Sequence, residues 1–306
     1  MCRGETGRRV QRLVEGSPLA RDLVRRYIAG ETPDEAVRVA GELAAEGLPV
    51  TIEYIGEPEH AGPGGPGRHR AAGRTAAETA AGKAAAARAE RTVAEYLRLL
   101  DVLAARGLAR GADLTVDLGA LDPLAGERGP VERVARVCEA ARDAGATVTL
   151  EFPERHVPAE RALAVHAALR EDHPGLGVTI PACLRAAAEH CRRLSGSRVR
   201  LRKGVRDAPA AVAHRDAREI DRSFVRCLRI LMAGHGHPMV ATVDRRMIEI
   251  ASVLATLNER APGGFEYVMP YGVRPATQRR LRELGAALRV HVPYGSDWYD
   301  YLLRRL

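Results

Sequence analysis

The 306-residue sequence has few aromatic side chains, only 4% of the total, and its five cysteines include no C-x-x-C pair. So few rings give little material for stacking single-stranded bases, and we expect no nucleic-acid partner. An odd number of unpaired cysteines favours reduced thiols over a disulfide framework or a zinc site. No stretch approaches the roughly 20 continuous apolar residues of a membrane span, and residues 1–16 lack the apolar core of a signal peptide. We therefore expect a cytoplasmic protein without a transmembrane segment.

The sequence is basic, with a formal net charge of +8 at pH 7. A positive field favours anionic partners. The arginines, however, are spread along amphipathic helical segments and do not form one block. We interpret most of this charge as solvated helix faces.

Eight short runs rich in β-branched residues alternate with helical segments that end in Gly or Pro. A glycine just past a helix, followed by a β-branched run, is typical of the connection from a helix to a strand. Eight such repeats predict a (β/α)8 barrel, whose usual length is about 250 residues. An open doubly wound sheet is the alternative, but no G-x-G-x-x-G motif follows the first run. The predicted strands are residues 48–54, 113–118, 146–152, 176–182, 197–203, 237–243, 265–271 and 287–293.

The repeats indicate one domain. We expect a helical arm over residues 1–45 and a barrel over residues 46–306, with no second domain. Residues 60–75 are rich in Gly, Pro and Arg and follow the first strand. We interpret them as a flexible connecting loop, with an active-site lid as the alternative.

Polar residues stand at the ends of the predicted strands. In a (β/α)8 barrel the C-terminal ends of the strands carry the chemistry, so these residues are the candidates for a functional site. They are Glu57, Asp117, Glu151, Lys203, Thr242, Asp244, Tyr271 and His291.

The segment 292–306 carries a second candidate site. Tyr301, Arg304 and Arg305 are three and four residues apart, so they share one face of a helix. Two guanidinium groups and a phenol on one face suit a carboxylate or a phosphate. The alternative is a solvated terminal helix, in which arginine is simply a good helix former.

Four sequence blocks together are similar to the proline dehydrogenase family. They are RRYIAGETPDEAVRVAGELAAEGLPVTIEYIGE (25–57), VRLRKGVRDAP (199–209), FEYVMPYGVR (265–274) and RVHVPYGSDWYDYLLRRL (289–306). The blocks occur in the order found in the family, and with the intervening strands the resemblance covers nearly the whole chain. It implies a distorted (β/α)8 barrel that binds FAD and oxidises L-proline to Δ1-pyrroline-5-carboxylate in proline catabolism.

The resemblance also implies roles for individual residues. Arg304 and Arg305 match the pair that grips the substrate carboxylate, and Tyr301 matches the tyrosine beside the proline ring. The partner is therefore a small amino-acid-like substrate, while the resemblance identifies no electron acceptor. Candidate flavin contacts match four further positions, which are Arg200, Lys203, Gly204 and Thr242.

The sequence departs from the family pattern at several of its functional positions. Asp117 replaces a substrate-facing lysine, Glu151 replaces an aspartate and His291 replaces a tyrosine. With Arg200, these three residues are our candidate catalytic groups, and we assign no metal. Apolar residues replace polar flavin contacts at three positions, which predicts weakened FAD binding; they are Pro181, Val243 and Val268.

These departures keep two alternatives open. The barrel could serve an enzyme with an altered amine substrate, or with a metal in place of the flavin. It could also belong to a non-catalytic relative that binds a ligand. Flavin-dependent oxidation of L-proline, or of a related cyclic or secondary amino acid, is the function that the resemblance favours.

Overall fold

Eight parallel strands close into a barrel in the order in which they occur along the chain. The computed structural model describes residues 24–56, 76–121, 129–151, 159–204 and 209–305. The predicted (β/α)8 barrel is confirmed, and the ends of each strand lie within two residues of the ends of its predicted run. The strands are β1 (Val50–Tyr54), β2 (Asp113–Asp117), β3 (Thr147–Glu151), β4 (Gly177–Pro181), β5 (Arg198–Arg202), β6 (His237–Ala241), β7 (Glu266–Pro270) and β8 (Leu288–Tyr294).

Helices connect the strands and cover the outside of the barrel. Between the two layers lies a continuous core of aliphatic side chains, as the β-branched strands and the Ala- and Leu-rich helices lead us to expect. None of the described helices is long and apolar enough to cross a membrane. The helices are α1 (Pro33–Ala45), α2 (Ala76–Ala105), α3 (Leu118–Leu121), α4 (Gly129–Ala144), α5 (Ala159–Leu169), α6 (Ala187–Arg193), α7 (Ala217–Ala233), α8 (Arg245–Leu257), α9 (Pro275–Glu283) and α10 (Trp298–Arg305).

Helix α1 shows how the sequence sets the start of a helix. Thr32 and Glu35 form a reciprocal capping box, and Pro33 occupies the first turn, where its missing N–H costs nothing. The helix packs against α2, β1 and β8. This part of the expected N-terminal arm therefore lies in the ring of helices around the barrel. Residues 1–23 of that arm, and the expected loop at 60–75, lie outside the described residues.

The segment that precedes α1 runs beside the end of β8. The Ala29 amide donates to Pro293 O at 2.9 Å, and the Gly295 amide donates to Gly30 O at 3.0 Å. Ile28 packs against Trp298 and Tyr301 of α10 in a small hydrophobic cluster. These contacts tie α10 to the C-terminal end of the barrel.

The inside of the barrel is polar, unlike the Val, Ile and Leu layers that fill many (β/α)8 barrels. Asp113 is fully buried, and its carboxylate accepts from Thr51 at 2.8 Å and from Thr149 at 2.9 Å. The Arg200 guanidinium, which is 2% exposed, donates to Asp113 at 3.0 Å, to Thr51 at 3.0 Å and to Thr115 at 2.8 Å. A buried ion pair surrounded by threonine hydroxyls thus joins β1, β2, β3 and β5.

Burial alone would raise the pKa of Asp113. The guanidinium groups of Arg198 and Arg200 outweigh this effect and hold the pKa well below its usual range. The carboxylate is therefore charged, and the network depends on that charge.

Candidate active site

The C-terminal ends of the strands form the barrel mouth. Alternate residues of a strand point to the same side, so the bonds of Thr51, Thr115 and Arg200 across the barrel fix which residues face inward. By this alternation the inward-facing polar side chains at the mouth are Glu53, Asp117, Glu151, Arg202 and His291. Acidic groups predominate among them.

A buried acid–imidazole pair lies on one side of the mouth. His291 Nε2 is 2.7 Å from Glu53 Oε2, and both side chains are more than nine-tenths buried. The Tyr301 hydroxyl lies 3.4 Å from the same His291 nitrogen. The strands β1 and β8 and the helix α10 each contribute one group, so α10 lies against the mouth.

A second acidic group lies across the mouth, on β3. Glu151 accepts from Arg202 Nε at 2.8 Å and from the Thr179 hydroxyl at 2.9 Å. Arg200 Nη1 lies 3.8 Å from the same carboxylate. The predicted catalytic residue Arg200 thus lies beneath the mouth and reaches it through Glu151.

Asp117, the last residue of β2, is opposite Glu151 in the register of the sheet. Its carboxylate accepts from the Gly119 amide at 2.8 Å. This hydrogen bond caps the start of the short helix α3. The buried Tyr96 hydroxyl donates to Thr115 O at 2.7 Å. Burial is the main cause that raises the pKa of Tyr96, and the nearby carboxylates of Glu53 and Asp117 raise it further. Both carboxylates therefore lie close enough to Tyr96 to disfavour its phenolate.

Lys203 belongs to a different group of charges. It follows Arg202, and its Nζ is 2.6 Å from Asp221 and 2.9 Å from Asp244. Arg246 contacts the same two carboxylates, each at 3.0 Å. Burial would lower the pKa of Lys203, but the hydrogen bonds to its two partners raise it. Two cations and two carboxylates balance each other here.

Two other predicted flavin contacts lie close to Lys203. The Thr242 hydroxyl accepts from the Asp244 amide at 3.1 Å. Gly204 has a φ of +90°, a conformation that favours glycine. A Cβ at this position would collide with the Cys183 sulfur and with Pro181. The backbone of this turn therefore packs directly against the end of β4.

No protein-family model matches the chain. The chain is 29% identical over 284 residues to proline dehydrogenase 1 of Bacillus subtilis, a match that covers 92% of this chain and 85% of the relative. It is 24% identical over 283 residues to proline dehydrogenase 2 of the same species, which covers 92% and 84%. The chain is therefore similar to proline dehydrogenases over nearly its whole length.

Solved structures agree on the fold. The proline utilization A (PutA) protein of Bdellovibrio bacteriovorus, inactivated by N-propargylglycine, superposes with a TM-score of 0.78 at 19% identity. The match covers 94% of this chain and 32% of PutA, so the chain spans about a third of that longer protein. A likeness at this identity supports the barrel fold.

Apolar residues occupy three mouth positions at which the proline dehydrogenase resemblance implies polar flavin contacts. Pro181 and Val268 are buried, and Val243 is half-buried and packs against the core. None of these side chains can donate or accept a hydrogen bond. That these replacements weaken FAD binding stays a prediction.

The predicted carboxylate grip lies on α10. Tyr301 is buried at the mouth, while the side chains of Arg304 and Arg305 lie outside the described residues. Within the described ranges, no three His, Cys, Asp or Glu side chains are grouped so as to hold a metal ion.

Sequence reasoning missed Glu53 and Arg202. Both lie on strands whose period-2 pattern was visible, VTIEY and RVRLR. Alternation from Arg200 would have placed Arg202 inside the barrel and Lys203 outside it.

Proposed function

We propose that the chain is a flavin-dependent oxidoreductase that oxidises L-proline, or a related cyclic secondary amino acid, to the imine. One observation supports this proposal in addition to the similarity to proline dehydrogenases. Tyr301 reaches His291 at the mouth, at 3.4 Å, and so brings α10 against the strand ends. This contact supports a role in substrate binding for the helix that bears the arginine pair.

Different residues at the mouth would contact different parts of the substrate. Arg304 and Arg305 would bind the carboxylate through bidentate hydrogen bonds. The apolar face of the Tyr301 ring would pack beside the ring of the substrate. The secondary amine would then face the acidic side of the mouth. Tyr301 is buried, and a site that excludes water would strengthen each charged contact with the substrate.

The described residues fit a flavin, although with few polar contacts. Arg200 Nε is a buried donor without an acceptor among them, and a flavin carbonyl or ring nitrogen would supply one. Lys203, Gly204 and Thr242 would hold the rest of the cofactor at the ends of β5 and β6. When bound, the flavin would accept the two electrons and the hydrogen released from the ring CH2 group bonded to nitrogen, which becomes the imine carbon of Δ1-pyrroline-5-carboxylate.

An altered amine substrate is a second candidate, and Asp117 favours it. A lysine there would attract a carboxylate, whereas the aspartate attracts a cation. At about 4 Å and an effective dielectric constant of about 20, one such charge pair is worth roughly 4 kcal/mol. Asp117 would repel the carboxylate of L-proline, whereas it would attract the cationic group of a more basic or an esterified analogue.

The experiment supplies FAD and an artificial electron-accepting dye to the purified protein and measures dye reduction. We expect turnover with a cyclic secondary amino acid and none with its oxygen analogue, which has no amine to oxidise. The panel includes L-proline, its methyl ester and a proline that carries an added amino group. No turnover with any of them, at saturating FAD, would favour the non-catalytic alternative.

A further inference from the structure

Helix α7 carries four exposed arginines along one side. Successive members are four, four and three residues apart, so at about 3.6 residues per turn they fall within an arc of about 80°. With a rise of about 1.5 Å per residue, they extend over about 16 Å of the helix. Among the residues that the structure describes, no carboxylate forms an ion pair with any of the four guanidinium groups. We call these residues the arginine line: Arg218, Arg222, Arg226 and Arg229.

The carboxylates of α7 and of its cap are engaged by other groups. Asp216 caps the helix and accepts from two backbone amides, each at 3.0 Å. Glu219 Oε2 lies 3.4 Å from His214 Nδ1. Asp221 lies 2.6 Å from Lys203 Nζ and belongs to the balanced cluster of charges at the end of β5. None of these three carboxylates therefore pairs with the arginine line.

The helices on the two sides of α7 differ from it, because arginines there have acidic partners. Both α6 and α8 contact α7. On α6, Arg192 lies near Cys227 of α7, and its Nη1 is 2.8 Å from Glu189. On α8, the Nε of Arg245 is 2.9 Å from Glu249. Each of these two arginines is neutralised within its own helix, so the excess positive charge runs along α7.

Repulsion within the arginine line favours a negatively charged partner. Like charges three or four residues apart on a helix repel one another, and the line contains three such neighbouring pairs. A guanidinium group binds a carboxylate through two parallel N–H donors, and it is more weakly hydrated than an ammonium group. Four arginines in a row therefore match a row of carboxylates on another chain.

We propose that the arginine line is a docking surface for an acidic segment of another protein. A membrane or a nucleic-acid duplex is a broad anionic surface that would engage cations on several neighbouring elements, whereas Arg192 and Arg245 are paired within their own helices. A chain of glutamate or aspartate side chains is narrow, as is the arginine line. The inference does not depend on the proposed function, because the line is exposed on the outer layer of helices.

Fluorescence anisotropy of labelled poly-L-glutamate measures binding to the purified protein. We expect binding at about 50 mM salt that weakens at least about tenfold at about 200 mM, because salt screens exposed charges. Replacement of the whole line should weaken binding at least about tenfold at the lower salt concentration, because four exposed charge pairs are lost. This line variant combines Arg218→Gln, Arg222→Gln, Arg226→Gln and Arg229→Gln. The corresponding Arg→Lys replacements keep the charge and should keep the affinity within about threefold.

Two controls separate the arginine line from net charge and from misfolding. Arg→Gln at four exposed arginines of α1, α2 and α4 removes the same number of charges and should leave the affinity within about twofold. The line variant should melt at the same temperature as wild type or higher, because it removes like-charge repulsion; a lower melting temperature would contradict the repulsion on which the proposal rests. The four control positions are Arg38, Arg98, Arg136 and Arg142.

The remaining outcomes decide which partner the line binds. The proposal is wrong if poly-L-glutamate does not bind at the lower salt concentration, or if the line variant and the control variant lose affinity equally. It is also wrong if the line variant loses more affinity for a DNA duplex, or for vesicles that contain phosphatidylglycerol, than for poly-L-glutamate. Dye reduction with the amino-acid panel should be the same in wild type and in the line variant, so the proposed oxidation is tested separately.

Discussion

Replacement of Asp113 by asparagine should destabilise the barrel strongly. The carboxylate is fully buried, and it accepts from Thr147 at 2.7 Å and from Arg200 at 3.0 Å. Loss of one partner of a buried ion pair costs about 3–5 kcal/mol, because the other charge stays buried. Glu151, at 3.8 Å, remains as a weaker partner for Arg200. We therefore expect the low end of that range, about 3 kcal/mol.

Urea unfolding of Asp113→Asn at pH 7 measures this loss. Asp143→Asn is the control, because Asp143 is 74% exposed and its contact with Arg142 spans 3.5 Å. Exposed pairs contribute less than about 1 kcal/mol. A loss below about 1 kcal/mol in Asp113→Asn would mean that the interior charges do not support the barrel, and the reasoning about the network would be wrong.

The same network gives a pH dependence of known sign. The pKa of Asp113 is depressed in the folded state. The contribution of Asp113 to the free energy of unfolding is therefore fully present above the unfolded-state pKa of about 3.9. It is lost as the pH falls through the lower folded-state pKa. The difference in unfolding free energy between wild type and Asp113→Asn should narrow on acidification. A difference that grows towards low pH would contradict this sign.

Three further predictions concern ligands. Arg305→Ala should weaken binding of a carboxylate ligand by about 1.5–3 kcal/mol in calorimetric titration; unchanged affinity for every carboxylate tested would make α10 a solvated helix. Asp117→Lys should raise turnover of L-proline and lower that of a more basic analogue, and no improvement with proline would mean that Asp117 does not face the substrate. Titration of the apo protein should give an FAD affinity one to three decades weaker than that of a standard member of the family that keeps the three polar contacts, at about 0.5–1.5 kcal/mol per lost contact. Sub-nanomolar binding would show that other residues compensate for Pro181, Val243 and Val268.

The barrel could be predicted because its signal is local. Each strand is a β-branched run bounded by glycine or proline, and eight repeats leave few topologies. The mouth positions Asp117 and Glu151 followed from the ends of those runs. The local sequence pattern was sufficient to predict both the barrel and the position of these two residues at its mouth.

The pairing of the site residues could not be predicted in the same way. Glu53 and His291 are 238 residues apart, and only closure of the barrel between β8 and β1 brings them together. Lys203 looked equivalent to its neighbours at the strand ends, but the alternation of β5 turns it towards Asp221 and Asp244. Partners that come from distant strands leave no periodic signal in the sequence.

We have proposed that this barrel oxidises a proline-like substrate through a flavin. The most direct test is anaerobic addition of L-proline, or of the best analogue from the panel, to the FAD-loaded protein, with the flavin band near ~450 nm as the readout. We predict that the band bleaches in wild type and bleaches far more slowly in Arg305→Ala. A band that persists with every cyclic secondary amino acid, in a protein that demonstrably holds FAD, would contradict it.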